Sequence, residues 1–266
     1  MTRIGRGVAG FLLVGLLGCT AGPPRPVAPQ APPPPPLIRV GMSPDAPPIS
    51  FMREGKIVGV EPDLAQAVVD QLRRPMALVP MRFDALMPAL LNGTIDVIMS
   101  GLTITPARRV RLAFSDPYMR SGLLAAALRT QASQYATRDA IMNAGANVGV
   151  RMGSTAESWG QSNLRFGRVV PYPSIEDAAR ELSQGRLDLI ISDAPQTAWA
   201  VSEFSATLQV IPIRLTQEEI AWAFRPEDAA LRNAANRVLA DMRRDGRLHA
   251  ILARWIPFLD KLERAR

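Results

Sequence analysis

A chain of 266 residues, 47% of them hydrophobic, is long enough for one large domain or two modest lobes and apolar enough to fill their cores. Its net charge of +7 rests almost wholly on arginine, Lys56 and Lys261 being the only lysines; the arginines are scattered, without the aromatic-interleaved basic run that argues for nucleic-acid binding, so no nucleic-acid partner is expected. One cysteine excludes disulfide stapling within the chain, and one histidine, His249, disfavours a His-dependent triad and a multi-histidine metal site, so neither a metal nor a cofactor is expected.

In chain order, Arg3 and Arg6 precede the apolar run "GVAGFLLVGLLG", which ends at Cys19. At about 12 residues the run is too short for a bilayer-spanning helix of roughly 20, so residues 1–19 read as a signal peptide. Its ending "LLGC" resembles a bacterial lipobox, which makes Cys19 the expected lipidation site. Residues 20–36 are a Pro-rich linker, expected to form a semi-rigid spacer of roughly 40 Å in the polyproline II conformation.

From Leu37 short apolar runs alternate with amphipathic segments, the pattern of an α/β fold with mainly parallel sheets. "LIRVGMS" is a strand and "FMREGKIVGV" a hairpin turning at Glu54 and Gly55; Pro62 starts a helix that places Leu64, Ala67, Val68 and Leu72 on one face. "MALVPM" is a second strand, "FDALMPALLNG" a helix closed by Gly93, and "TIDVIMSG" a third strand. "LLAAAL" reads as a crossing strand between two lobes, after which a second series begins: a Thr137-capped helix, "NVGVRMG", "STAESWGQSNL", "RVVPY", a Ser174-capped helix and "RLDLIIS" running into Asp193. "LQVIPI" and "IAWAF" are strands, followed by a helix from about Glu227 to Arg244 and a short one through Trp255. Two similar series suggest two lobes with a ligand between them.

Three stretches carry candidate chemistry. In "MSGLTITPARR", Thr105 is an N-cap and Pro106 the first helical residue, so Ser100, Gly101 and Thr103 lie beyond a strand's carboxyl end, where α/β folds bind ligands. Arg108 then sits in a helix's first turn, the positive end of its dipole, which calls for an anion that the local sequence lacks. In "RMGSTAE", Gly153 admits close backbone approach and the N-H groups of Ser154 and Thr155 can hold a carboxylate oxygen, although Ser154 and Glu157 also form a capping box. Asp193, at a strand end, is either a helix cap or a receiver of an ammonium. Phe83 is either core or an apolar wall, and no phosphate loop or activated nucleophile is visible, which favours binding over catalysis.

The stretches "IRVGMSPDAPPISF", "GKIVGVEPDLAQAV", "DALMPALLNGTIDVIMSGLTITPARR", "FSDPY", "VGVRMGSTAE" and "GRLDLIISDAP" resemble, in order, the bacterial solute-binding proteins of family 3, receptors for polar amino acids in ABC import systems. The resemblance implies a two-lobed α/β periplasmic-binding-protein fold of type II with the ligand in the interlobe cleft. Lobe 1 is expected over 37–126 and 212–266 and lobe 2 over 127–211, with hinge crossings near 122–128 and 209–214. It implies further that Arg108 binds the ligand's α-carboxylate, Thr103 both ends of the zwitterion, Thr155 the carboxylate from the other lobe, and Asp193 the ammonium. Ser100 and Gly101 would offer backbone contacts and Phe83 a wall. The implied setting is a monomer in the periplasm, lipid-anchored through Cys19 and serving an ABC permease of the inner membrane; Thr20 after the cysteine points to the outer membrane.

The chain departs from that family at Ala46 and Ile49, where aromatic residues are usual, and at Ser43, where receptors for basic amino acids often carry an acid. Two alternatives share the pattern. Cyclohexadienyl dehydratases are similar to these receptors and would give Glu157 a proton-transfer role; a sensory lipoprotein would report a ligand without transporting it.

Overall fold

The computed structural model describes residues 35–259; the targeting segment with Cys19, the Pro-rich linker as far as Pro34, and residues 260–266 lie outside the described residues. β1 (Ile38–Met42) leads into a small antiparallel sheet of β2 (Asp45–Ala46), β3 (Ser50–Arg53) and β4 (Lys56–Val58). The turn between β3 and β4 holds Glu54 and Gly55 at φ 50° and 74°. α1 (Val60–Leu72) begins two residues ahead of Pro62, which still falls in the first turn, where a missing N-H leaves no bond unmade. Its buried face is Leu64, Ala65, Val68 and Val69, while Ala67 and Leu72 pack partly buried at the edge. β5 (Met76–Pro80), α2 (Phe83–Leu91) and β6 (Val97–Ile98) complete the first series, followed by α3 (Pro106–Arg109) and β7 (Ala113–Phe114).

β8 (Met119–Ser121) leads into a second series: β9 (Leu123–Leu128), α4 (Arg138–Asn143), β10 (Asn147–Arg151), α5 (Thr155–Asn163), β11 (Arg168–Tyr172), α6 (Ile175–Ser183), β12 (Leu189–Asp193), α7 (Ala194–Glu203) and β13 (Leu208–Ile211). The chain returns through β14 (Glu218–Ile220) and β15 (Ala223–Phe224) and ends with α8 (Ala229–Arg244) and α9 (Arg247–Trp255).

The two five-stranded sheets share one plan. The first runs β5-β1-β6-β15-β7 and the second β11-β10-β12-β9-β13. β1 lies parallel between β5 and β6, and β10 likewise between β11 and β12; β15 then adds antiparallel to β6, and β9 to β12. Helices cover the sheets and bury separate cores, one around Val40, Leu64, Trp222 and Leu239, another around Val148, Trp159 and Ile191. These are the two lobes.

The crossings differ from the sequence expectation. Leu123–Leu128 is an interior strand of the second sheet, paired to β12 and β13, with Ala125, Ala126 and Ala127 fully buried. Residues 123–126 therefore stand with the second lobe rather than the first, and Leu215 packs in that lobe's core as well. Between the lobes lies a two-stranded ribbon, β8 against β14, with Ile220 opposite Met119. An apolar run reads the same whether it crosses between sheets or lies inside one, so its sequence could not distinguish the two. The run "IAWAF" is likewise divided: Ile220 belongs to the ribbon, Ala223 and Phe224 to the first sheet. No helix among the described residues is long and apolar enough to cross a membrane.

Candidate functional site

The segments after β5, β6, β10 and β12 carry the predicted residues, and contacts between the lobes bring them together. Arg108 of the first lobe donates to the Gly153 carbonyl of the second at 3.1 Å, and Arg151 of the second pairs with Asp45 of the first at 2.5 Å. Such a crevice, outside the carboxyl ends of sheet strands, is where an α/β fold leaves room for a ligand.

Arg108 is fixed from both sides. Thr105 Oγ1 accepts the Arg108 N-H at 3.2 Å, so Thr105 is the cap that its sequence position indicates. The guanidinium donates from Nη1 to the Thr103 carbonyl at 2.8 Å and from Nη2 to Gly153, which leaves its other N-H groups for an anion. Burial lowers its pKa from the ordinary value, and the charges of Asp193 and Glu218 oppose that shift.

Asp193 stands at the N-cap position of α7, but its side chain makes no capping hydrogen bond. Its Oδ1 is buried without a partner, a costly state for a carboxyl oxygen. Burial and the neighbouring Glu218 push its pKa up to about 8, against the pull of Arg108 and Arg151. The carboxyl borders a small cavity of about 10 Å³ together with Ile49, Gly101, Gln196 and Ile220. The Asp193 side chain therefore does not act as a cap, and its carboxyl faces the cleft with one oxygen unpaired.

The remaining predicted residues divide into those at the cleft and those already engaged. Phe83, part of a core cluster of the first lobe, lies under two guanidinium groups, 4.1 Å from Arg151 and 6.0 Å from Arg108. Gly101 takes φ 65°, where a side chain is strained, and donates its N-H to Glu61 Oε1 at 2.8 Å, so that N-H is already engaged within the protein. Ser100 Oγ accepts the Ser43 N-H at 2.9 Å. Ser154 was expected to offer a free N-H, but that group donates to the Arg151 carbonyl at 3.2 Å and its Oγ accepts the Glu157 N-H. Thr155 is the first residue of α5, where the N-H has no intrahelical partner. Glu157 accepts the Gly153 N-H at 2.6 Å, one residue ahead of the partner a capping box calls for.

Three residues escaped the sequence reading. Glu218 in the hinge ribbon accepts from Thr103 at 2.7 Å, Thr155 at 3.1 Å and Thr216 at 2.9 Å, so both threonine hydroxyls expected to hold a ligand carboxylate donate to a protein carboxylate. Thr103 bridges to Ile220, which places Glu218 beside it. Glu61 is fully buried and receives the Gly101 N-H, the Tyr118 hydroxyl and the Trp222 indole N-H; burial pushes its pKa up to about 7 against those three donors. It fixes the glycine loop from behind. Arg151, buried at the end of β10, is the third. The signal for Arg151 was present, since a charged residue ending an otherwise apolar strand beside a candidate anion loop asks for a partner.

The chain is similar to known proteins over nearly all of the described residues. A family model described as bacterial extracellular solute-binding proteins, family 3, matches residues 38–258. The L-cystine-binding protein TcyJ of Escherichia coli (strain K12) is 30% identical over 219 residues, 82% of each chain. Among solved structures, the P235GK mutant of ArgBP from T. maritima superposes with a TM-score of 0.77 at 32% identity, covering 82% of this chain and 94% of that one. The ancestral amino acid-binding protein AncCDT-1, described as a precursor of cyclohexadienyl dehydratase, gives 0.78 at 30% identity, covering 83% and 95%. The chain belongs to the bacterial extracellular solute-binding proteins, family 3.

Proposed function

We propose that the protein is the extracytoplasmic receptor of an ABC importer and closes its lobes on an amino acid or a similar small zwitterion. The observation that carries this reading is one cleft in which Arg108, with N-H groups to spare, and Asp193, with a buried unpaired oxygen, feel each other's charge. Arg108 receives the α-carboxylate and Asp193 the α-ammonium. With its hydroxyl turned to Glu218, Thr103 offers lone pairs to the ammonium, while Thr155 offers its N-H at the start of α5 to the carboxylate. Ser100 and the Gly101 carbonyl line the same loop, Ser154 holds its shape as a cap, and Phe83 is the wall.

Support for an amino acid comes from the relatives, whose names record L-cystine for TcyJ and amino acid binding for AncCDT-1. A thermal-shift screen of the purified protein against amino acids, L-cystine and L-arginine included, together with opines and cyclohexadienyl acids, tests it, since a ligand of the native state raises the melting temperature. A screen in which no α-amino acid raises the melting temperature overturns the reading.

The same proposal places the protein in the periplasm as a monomer anchored through Cys19, with the permease in the inner membrane and the anchor in the outer one. The enzyme alternative rests on the likeness to AncCDT-1. Against it, Glu157, the residue it would use for proton transfer, is bound to the Gly153 N-H at the start of its own helix. Incubation with prephenate and detection of phenylpyruvate absorbance decides between enzyme and receptor.

A further inference from the structure

We propose that Arg151 is a specificity-determining residue: its guanidinium occupies the cleft position that a cationic ligand side chain would take, so the receptor rejects basic amino acids and accepts those whose side chain carries an acceptor oxygen. The inference rests on the reading of the cleft as an amino acid site. A buried guanidinium calls for an aromatic face and a carboxylate, and the first lobe supplies both. Phe83 lies 4.1 Å beneath the Arg151 guanidinium and Asp45 accepts from its Nη2 at 2.5 Å. Asp45 is in turn held by the Ser43 hydroxyl at 2.8 Å, so an acid stands beside Ser43 after all, already matched to a cation of the protein itself.

Arg151 is 2% exposed, and Arg108 lies 6.0 Å from the same ring. A third cation brought there by a ligand meets two like charges in a region of low dielectric, which disfavours it strongly. Asp193, Glu176 and Asp84 add to the field at Arg151 without replacing Asp45 as its hydrogen-bond partner. The Arg151 Nε is buried with no partner, and an oxygen acceptor on the ligand's side chain satisfies that N-H.

Calorimetry of the purified protein with L-arginine, L-glutamine and L-glutamate tests this. The wild type is expected to bind L-glutamine or L-glutamate at least tenfold more tightly than L-arginine, the better of the two telling an amide from a carboxylate preference. In Arg151→Ala the vacated place over Phe83 and beside Asp45 becomes a guanidinium site, so L-arginine affinity rises tenfold or more; Arg151→Ala combined with Asp45→Asn loses that gain. Arg151→Met retains the volume and serves the same comparison should the alanine variant fail to fold. Tight binding of L-arginine by the wild type, or unchanged L-arginine affinity in both single variants, overturns the inference. If Arg108→Ala abolishes such tight arginine binding, the amino acid reading stands and the role of Arg151 alone falls. If no α-amino acid binds the wild type, the reading of the cleft falls and the inference with it.

Discussion

Arg108 and Asp193 set the electrostatics of the cleft, and each makes a measurable demand. Removing the Arg108 side chain leaves a desolvated ligand carboxylate without its cation, which costs roughly 3–5 kcal/mol, or about two to nearly four orders of magnitude in affinity; calorimetry of Arg108→Ala with the best ligand checks this, and unchanged affinity refutes the assignment. Asp193 makes a prediction about pH. Its carboxyl holds a proton up to about 8 in the ligand-free cleft, whereas an ammonium ligand requires the carboxylate. Binding at pH 6 or 7 therefore releases a proton, and affinity rises with pH toward about 8 and flattens above it; calorimetry in buffers of different ionisation enthalpy counts the proton. The stability of the ligand-free protein runs the other way. A carboxyl whose folded pKa is raised above its unfolded value stabilises the fold fully below about 4, and that contribution is lost as pH rises through about 8. Glu61 and Glu176, both pushed up to about 7 chiefly by burial, add to the same slope. The melting temperature of the ligand-free protein should fall between pH 5 and pH 8, and Asp193→Asn should flatten part of that fall. Arg108 and Asp193 were legible in the sequence because each ends a local pattern, a capped turn and a strand end. Glu218 was not, because its partner Thr103 lies far away along the chain; Arg151, a charge ending an apolar strand, showed the want of a partner, but not that the partner is the distant Asp45.

At the scale of single elements, the start of α5 separates capping from recognition. Ser154 Oγ accepts the Glu157 N-H at 3.2 Å, and losing such a cap costs about 1 kcal/mol. Ser154→Ala should lower the melting temperature by about 2–4 °C and leave ligand affinity nearly unchanged. Thr155→Gly should do the reverse, weakening binding by loosening the backbone that offers the N-H, with a smaller effect on melting than on affinity. Equal effects of both changes on affinity would mean that α5 acts on the ligand only through its stability. A second element-scale contact joins the lobes outside the cleft: Phe51 of β3 packs against Trp199 of α7 with ring centroids 5.4 Å apart, and against Trp255 of α9 at 5.7 Å. Aromatic pairs of this kind contribute about 0.5–1.5 kcal/mol beyond their buried area. Trp199→Ala should thus favour the open arrangement of the lobes, with an affinity loss of about two- to tenfold and a larger radius of gyration by small-angle scattering. The hairpin carrying Phe51 was legible from Glu54 and Gly55 at its turn, but its partner was not, because ring contacts between lobes depend on how the lobes meet and no local periodicity encodes that.

For the molecule as a whole, alternating strands and amphipathic helices were enough to foresee two α/β series, because each element's apolar face shows in its spacing. That Leu123–Leu128 is an interior strand of the second sheet was not foreseen, because an apolar run reads the same in a crossing and in a buried strand. The same separation of scales bears on the anchor. The residues assigned to the cleft, from Ser43 to Glu218, lie among the described residues, and the lipobox-like Cys19 lies well before β1 in the sequence, with the Pro-rich stretch between them. Anchoring and binding should then be independent functions of one chain. An acylated cysteine holds a protein to a bilayer through its chains, at about 0.8 kcal/mol per buried CH₂, whereas serine at that position accepts no thioether-linked lipid. The full-length protein should partition into the detergent phase of a Triton X-114 extract and Cys19→Ser into the aqueous phase, while calorimetry finds the same ligand affinity in both. A serine variant that stays in the detergent phase would show that the apolar run, not the cysteine, tethers the chain. One that leaves it but also loses affinity would show that the linker, rather than acting as an inert spacer, takes part in closing the lobes.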